Sequence, residues 1–148
     1  MIKHAWTVFC DRALTDNDSN NLGLFTVEQI SFPSPERADG DNVILPFSGN
    51  LVSLWYRDSP EDKQEFTFRV TAISADGSKI AETPSTVSFT GKKRLRTFAR
   101  IPFIPIPPTI SCNMRFIVDF KQGDSWITVA DIPLELVPIP SAASPHGE

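Results

Sequence analysis

The sequence predicts an all-β protein, a two-layer antiparallel β-sandwich of about eight or nine strands that is immunoglobulin-like or C2-like. Apolar and polar residues alternate in short runs separated by turn-forming residues, and no window shows the apolar period of a helix. The chain also contains 13 prolines and 11 phenylalanines, a composition that favours strands over helices. A closed barrel is the alternative architecture, which the proline-rich stretch 102–108 disfavours.

Length and composition indicate one soluble globular domain. The chain has 148 residues, of which 41% are hydrophobic and 22% are charged, and both fractions are ordinary for such a domain. We expect residues 1–140 to form a single sandwich domain and residues 141–148, which have little to bury, to form a disordered tail. The net charge of −4 and the pI near 5.1 argue against a general nucleic-acid binder.

The first residues predict a cytoplasmic protein. They enter a strand pattern directly, without the apolar segment and cleavage site of a signal peptide, and no run reaches the length of a membrane span. Cys10 and Cys112 are expected to be free, buried thiols, although a disulfide stays open until their separation is known. These cysteines and the two histidines, His4 and His146, lack metal-ligand spacing, and no cofactor is expected.

The first half of the chain contains four predicted strands. They cover residues 2–12, 22–32, 43–47 and 51–57. Apolar residues on both faces of the first strand, including Phe9 and Cys10, predict that it is covered on both sides. The intervening loops are polar and rich in Asp, Asn, Pro or Gly, and they cover residues 15–21, 33–42 and 58–63.

The middle of the chain alternates most regularly, over residues 65–75. Asp76-Gly77 is the strongest hairpin signal in the chain, and residues 79–83 form the return arm. Two further strands are predicted at 86–90 and 94–101. Residues 102–108, PFIPIPP, lack too many backbone donors for a central strand or a helix, so we expect an extended crossover between the sheets.

The last regular stretch, residues 113–137, predicts a β-hairpin with Gly123 in its turn. On the first arm an apolar row faces the core: Met114, Phe116, Val118 and Phe120. On the second arm one face is expected to carry Trp126, Thr128, Ala130, Ile132, Leu134 and Leu136. Pro133 cannot donate to a ladder, so this arm is expected to lie at a sheet edge, or to be bulged, near that point.

Two parts of the chain together carry a resemblance to a known family. The opening part consists of Trp6-Thr7-Val8-Phe9-Cys10, Asp16, Asn20-Asn21-Leu22, Leu24-Phe25 and Val27-Glu28-Gln29-Ile30. The closing part consists of Phe116-Ile117-Val118-Asp119-Phe120 and Asp131-Ile132-Pro133-Leu134. Over nearly its whole length the chain thus resembles small bacterial β-sandwich proteins of a domain-of-unknown-function family. The resemblance implies a bacterial, cytoplasmic, single-domain sandwich and implies no mechanism.

A row of basic residues follows one face of residues 92–101. The row consists of Lys92, Arg94, Arg96 and Arg100, with Phe98 among them. Evenly spaced arginines beside an aromatic ring could bind acidic side chains or phosphates. The alternative is a solvated outer face that protects a sheet edge and pairs with carboxylates on neighbouring strands. The candidate carboxylates are Glu65, Glu82 and Asp119.

Trp55 and Tyr56 are adjacent on a predicted strand and therefore point to opposite faces. One of them is expected in the core, and an exposed Tyr56 could stack on a sugar ring. Packing is the default interpretation of both.

The polar loop 15–21 invites comparison with a calcium site, because Asp16, Asp18 and Asn20 stand at alternate positions. The sixth position is Asn21 where that site requires Gly, and the twelfth is Val27 where it requires Glu. We expect a plain Asp/Asn turn and no metal. Calcium held by pooled acids, with Asp39 and Asp41 joining Asp16 and Asp18, is the alternative.

The sequence contains no recognisable catalytic set, neither a nucleophile elbow, nor a Cys–His pairing, nor a Gly-rich phosphate loop. We expect a non-catalytic protein-interaction or structural module. The candidate binding residues are Arg94, Arg96, Phe98, Arg100 and Tyr56. A small-ligand module for carbohydrate or calcium is the alternative. The expected partner is another protein or a second copy of the chain in a homodimer, and neither nucleic acid nor a membrane.

Overall fold

The computed structural model describes residues 1–16, 18–33, 43–106 and 112–139. These residues form nine strands and no helix, which confirms the all-β class. The strands are β1 (Ile2–Thr15), β2 (Leu22–Thr26), β3 (Gln29–Pro33), β4 (Val43–Arg57), β5 (Glu65–Ile73), β6 (Lys79–Ser88), β7 (Arg94–Ile106), β8 (Cys112–Gln122) and β9 (Ser125–Ile139). The predicted tail 141–148 lies outside the described residues.

The strands form two packed sheets, as predicted. The four-stranded sheet has the order β2-β1-β4-β7, and the five-stranded sheet has the order β3-β9-β8-β5-β6. Neighbouring strands are antiparallel except β3 and β9, which run parallel. The edge strands of the described fold are therefore β2 and β7 in one sheet and β3 and β6 in the other.

The core lies between the two sheets and is dominated by aromatic rings. Trp55 of β4 is 1% exposed. Its ring centroid lies 4.8 Å from that of Phe66 and 5.6 Å from that of Phe68, both on β5. The ring centroids of Phe9 on β1 and Phe116 on β8 are 5.1 Å apart. Each fully buried side chain of this size contributes roughly 1.5–3 kcal/mol, so these contacts across the sheets are the main attachment of one layer to the other.

The single strand predicted at 22–32 is wrong, because the chain changes sheets within it. β2 pairs with β1, whereas β3 pairs with β9 of the other sheet. The Val27 amide donates to the Phe9 carbonyl at 2.9 Å, and the Glu135 amide donates to the Glu28 carbonyl at 3.0 Å. The crossing chain thus links the two sheets on one side of the sandwich.

Several predicted breaks are absent. Residues 43–57 form one strand with a register irregularity between Pro46 and Gly49, where a Cβ on Gly49 would lie 2.5 Å from the Phe47 ring. Residues 79–88 also form one strand, because Pro84 lies on the edge strand β6, where a missing donor is tolerated. The expected crossover at 102–108 is wrong as far as residue 106, since 102–106 continue the edge strand β7.

The final hairpin forms as predicted, with Met114, Phe116 and Val118 buried on β8. The single face predicted for β9 is wrong, because the register shifts between Val118 and Asp119 and leaves one extra residue, Val129, on β9. Because of this bulge, the side chains before Val129 point to the opposite faces from those that the alternation predicted. Trp126 and Thr128 therefore lie on the outer face, beside Arg69 and Asp119, while Leu134 and Leu136 remain in the core.

Pro133 lies where β9 is locally an edge. Its residue partner on β8 is Arg115, and the pairing of β9 with β3 begins only at Glu135. The expectation of a sheet edge at this proline is confirmed.

The first strand is covered on both sides, as predicted. Phe9 and Cys10 are consecutive and point to opposite faces, yet both are buried. Cys10 is a free thiol whose sulfur lies 3.5 Å from the Asn50 carbonyl oxygen, and burial raises its pKa. The side chain of Cys112, and with it the separation of the two sulfurs, lies outside the described part of the chain.

Candidate interaction surface

The five candidate binding residues lie together on the outer face of the four-stranded sheet. β7 pairs with β4 so that Arg94 is opposite Tyr56, Phe98 is opposite Val52 and Arg100 is opposite Asn50. Arg96 lies between them, opposite Leu54. Paired residues in a sheet point to the same side, so the three arginines, Phe98 and Tyr56 share one surface. We call this surface the basic face.

A groove of about 500 Å³ crosses the basic face. Leu54 of β4 lines it, and β7 contributes Arg94, Arg96 and Phe98 to one wall. The turn between β1 and β2 forms the other wall. Arg96 ties the two walls together, because its Nη2 donates to the Asn20 carbonyl oxygen at 3.0 Å. Asn20 has a φ of 56°, a left-handed conformation that asparagine tolerates and that turns this carbonyl toward β7.

The arginines of the basic face have no carboxylate partner within 4.0 Å among the described residues. The predicted partners are wrong. Glu82 and Asp119 both pair with Arg69, at 3.5 and 2.8 Å, and Glu65 lies on β5 of the other sheet. Within the described ranges, no carboxylate therefore neutralises the positive charge of the row beside the groove, in a protein whose net charge is −4.

Phe98 is the exposed aromatic residue of this surface, with 49% of its area accessible. Tyr56 is half-buried, and its ring lies 5.9 Å from the Lys3 Nζ. Lys3 also donates to Asp58 at 2.9 Å, and this hydrogen bond raises the pKa of Lys3. The expectation that one residue of the Trp55–Tyr56 pair lies in the core is confirmed by Trp55, whereas Tyr56 is half-buried and not exposed.

The polar loop adopts the expected Asp/Asn turn. The Asp16 carboxylate accepts hydrogen bonds from the Asp18 amide at 3.1 Å and from the Ser19 hydroxyl, and these bonds lower the pKa of Asp16. Within the described ranges, no group of three or more His, Cys, Asp or Glu side chains is arranged to hold a metal ion. Asp39 and Asp41, the other acids of the calcium alternative, lie outside those ranges.

His4 has a structural role in the first strand. Its Nε2 lies 2.7 Å from the Thr7 hydroxyl oxygen, and its ring packs against Trp55 with centroids 5.0 Å apart. Burial lowers the pKa of His4. His146 lies outside the described residues.

Arg57 supports one end of the groove, although little in the sequence singles it out. The side chain is only 2% exposed and donates to the carbonyl oxygens of Lys92, Pro60 and Asp62 at 2.8, 2.8 and 2.9 Å. Its guanidinium carbon lies 5.4 Å from the Phe89 ring centroid. Arg57 thus fixes the segment that presents Lys92 and leads into β7. An arginine ending an apolar alternating run was the only signal.

Comparison with models of known protein families finds no match, and a search of curated proteins finds no relative. The described residues include no helix with the length and apolar character needed to cross a membrane.

Proposed function

We propose that this protein is a non-catalytic interaction module that binds an acidic surface of another protein through its basic face. The observation that carries the proposal is the row of three arginines, which have no carboxylate partner in the part of the chain that the structure describes and lie beside a groove and an exposed phenylalanine. Interfaces are enriched in arginine and aromatic residues, which supports this assignment.

The charges give specificity and the apolar residues give affinity. An exposed ion pair contributes roughly 0.2–1 kcal/mol, so three arginines alone give weak binding. Phe98 and Leu54 offer apolar area that a partner would bury at about 25 cal/mol per Å². A partner that presents carboxylates around an apolar contact suits both parts of the surface.

The setting of the proposal is a bacterial cytoplasmic protein of an uncharacterised sandwich family. The resemblance in the opening and closing segments supports this setting. The chain passes between the sheets at β2–β3, β3–β4, β4–β5, β6–β7 and β7–β8, and such connections support an immunoglobulin-like arrangement.

The test is a quantitative pull-down from an extract of the source organism. The variant Arg94→Glu, Arg96→Glu, Arg100→Glu reverses the row. The matched control, Lys63→Glu, Lys79→Glu, Lys121→Glu, makes the same change in net charge on residues outside the basic face. We expect a stoichiometric partner with the wild type and the control and none with the arginine variant. Equal capture by all three proteins, or no partner at all, would overturn the proposal.

A glycan is the second candidate ligand, because the half-buried Tyr56 ring lies opposite Arg94 on the basic face. Aromatic rings bind sugars by stacking, and arginine donates to their hydroxyl groups. A glycan panel screened by thermal shift tests this candidate, with Tyr56→Ala as the control. A rise in Tm that the substitution abolishes supports it, and the absence of any shift contradicts it.

A further inference from the structure

We infer that the basic face receives its partner as an added β-strand on β7, in the form of an extended segment with alternating acidic and apolar side chains. This inference rests on the proposed function and specifies its geometry. Two separate features support it: the free edge of β7 and an apolar cavity beside that edge.

The first feature is the free edge of β7. The strand spans Arg94–Ile106 and pairs with β4, and no described strand pairs with its other side. Over residues 94–101 this open edge offers backbone donors and acceptors to an extended peptide, whereas Pro102 and Pro105 lack the N–H groups that pairing further along the strand would use. Residues of an added strand that lie opposite Arg94, Arg96 and Arg100 would point to the same face as these arginines. Carboxylates at alternate positions would therefore meet the arginine row.

The second feature is an apolar cavity of about 210 Å³ beside the same edge, between the two sheets. It is lined by Ala99 and Ile101 of β7 and by Val70 and Ala81 of the opposite sheet. Side chains of an added strand alternate between its faces, so the residues between the carboxylates would point toward this cavity. Its small volume suits a branched aliphatic side chain such as valine.

The charge row also argues against a second copy of this chain as the occupant. Pairing β7 with β7 of another copy would place arginines of both chains on one outer face. Like charges on directly opposed residues destabilise a strand pair. A homodimer through β7 is therefore disfavoured, whereas an acidic segment of another protein is complementary.

The probe is a fluorescent decapeptide of alternating glutamate and valine, titrated against the full chain by fluorescence anisotropy. We expect binding that weakens by about tenfold in the variant Arg94→Glu, Arg96→Glu, Arg100→Glu, as the loss of three exposed ion pairs requires. The Lys63→Glu, Lys79→Glu, Lys121→Glu control should bind like the wild type. A lysine–valine peptide should not bind.

Two N-methylated peptides separate strand addition from charge attraction. One carries methyl groups on every glutamate amide and the other on every valine amide. Alternate amides of an extended strand point to opposite edges, so only one set faces β7. We expect one methylated peptide to lose binding and the other to retain it. Equal effects of both sets, or no binding of the parent peptide, would overturn strand addition. Either result would leave intact a protein partner that the pull-down captures through the arginines. Failure of strand addition can therefore be told apart from failure of the proposed function.

Discussion

Arg57 illustrates how a single residue organises two loops of this sandwich. Its guanidinium is buried without a carboxylate partner among the described residues. Three carbonyl oxygens from two turns accept hydrogen bonds from it. Its Nη2 atom has no hydrogen-bond partner among the described residues. A buried charge is tolerated when most of its donors are satisfied, so this side chain depends on both turns and both turns depend on it.

Arg57→Ala should therefore destabilise the protein by about 3 kcal/mol, because three carbonyl groups lose the donor that a buried guanidinium supplies. Urea denaturation measures the change in the free energy of unfolding. Arg94→Ala is the control, and its exposed side chain predicts a change within about 0.5 kcal/mol. A loss below about 1 kcal/mol for Arg57→Ala would show that the turns hold their conformation without it.

Asp76, in the turn between β5 and β6, has a carboxyl group whose pKa is lowered by hydrogen bonds. Its carboxylate accepts from the Ser74 hydroxyl, from the Ser78 hydroxyl at 2.6 Å and from the Ser78 amide at 2.9 Å, which lowers its pKa from 3.8 to about 2. The ionised form is favoured by folding. Its contribution to stability is thus complete above pH 3.8 and is lost as the pH falls through about 2.

A carbon-13 NMR titration of the Asp76 carboxyl group should give a midpoint near 2 in the wild type. Ser78→Ala removes a donor and should move the midpoint back toward 3.8. A wild-type midpoint at or above the ordinary aspartate value would contradict the hydrogen-bonding pattern of this turn.

At the scale of the element, bulges decide which side chains face the core. Alternation in the sequence correctly predicted the buried row of β8, because that strand is regular through Val118. It failed on β9, because one extra residue at Val129 reverses the faces of everything before it. A period-two pattern carries no mark of such an insertion when the extra residue and the residue after it, here Val129 and Ala130, are both apolar.

The reversed part of β9 builds a polar cluster on the outer face of the five-stranded sheet. Asp119 is 6% exposed and accepts from Arg69 at 2.8 Å and from the Thr128 hydroxyl at 2.7 Å. The Arg69 guanidinium carbon lies 4.3 Å from the Trp126 ring centroid. By contrast, Arg115 of β8 and Asp131 of β9 form a solvent-exposed ion pair.

Asp119→Ala should thus destabilise the protein by about 2 kcal/mol, whereas Asp131→Ala should cost less than about 0.5 kcal/mol. Thermal and urea unfolding of the two variants measure the difference. Equal losses would mean that burial and the shared hydrogen bonds of Asp119 add nothing beyond an ordinary surface ion pair.

At the scale of the whole molecule, the sequence predicted the fold class, the strand number and the hairpin turns. It missed the sheet change near Val27 and the joining of predicted short strands into β4 and β6, since pairing partners distant in the chain decide both. The candidate residues were found individually from alternation and charge. That Tyr56 joins the arginines, and that the β1–β2 turn reaches Arg96, follows only from the register of β1, β4 and β7.

Site-specific photocrosslinking in cells of the source organism tests most directly whether the basic face is the binding surface. A photoreactive phenylalanine analogue replaces Phe98, and a matched variant carries it at Ile127 in the five-stranded sheet. The two positions are 49% and 43% exposed, so their accessibility is similar. We expect one protein adduct from position 98 and none from position 127. An adduct from position 127 alone, or equal adducts from both, would contradict the assignment of the basic face.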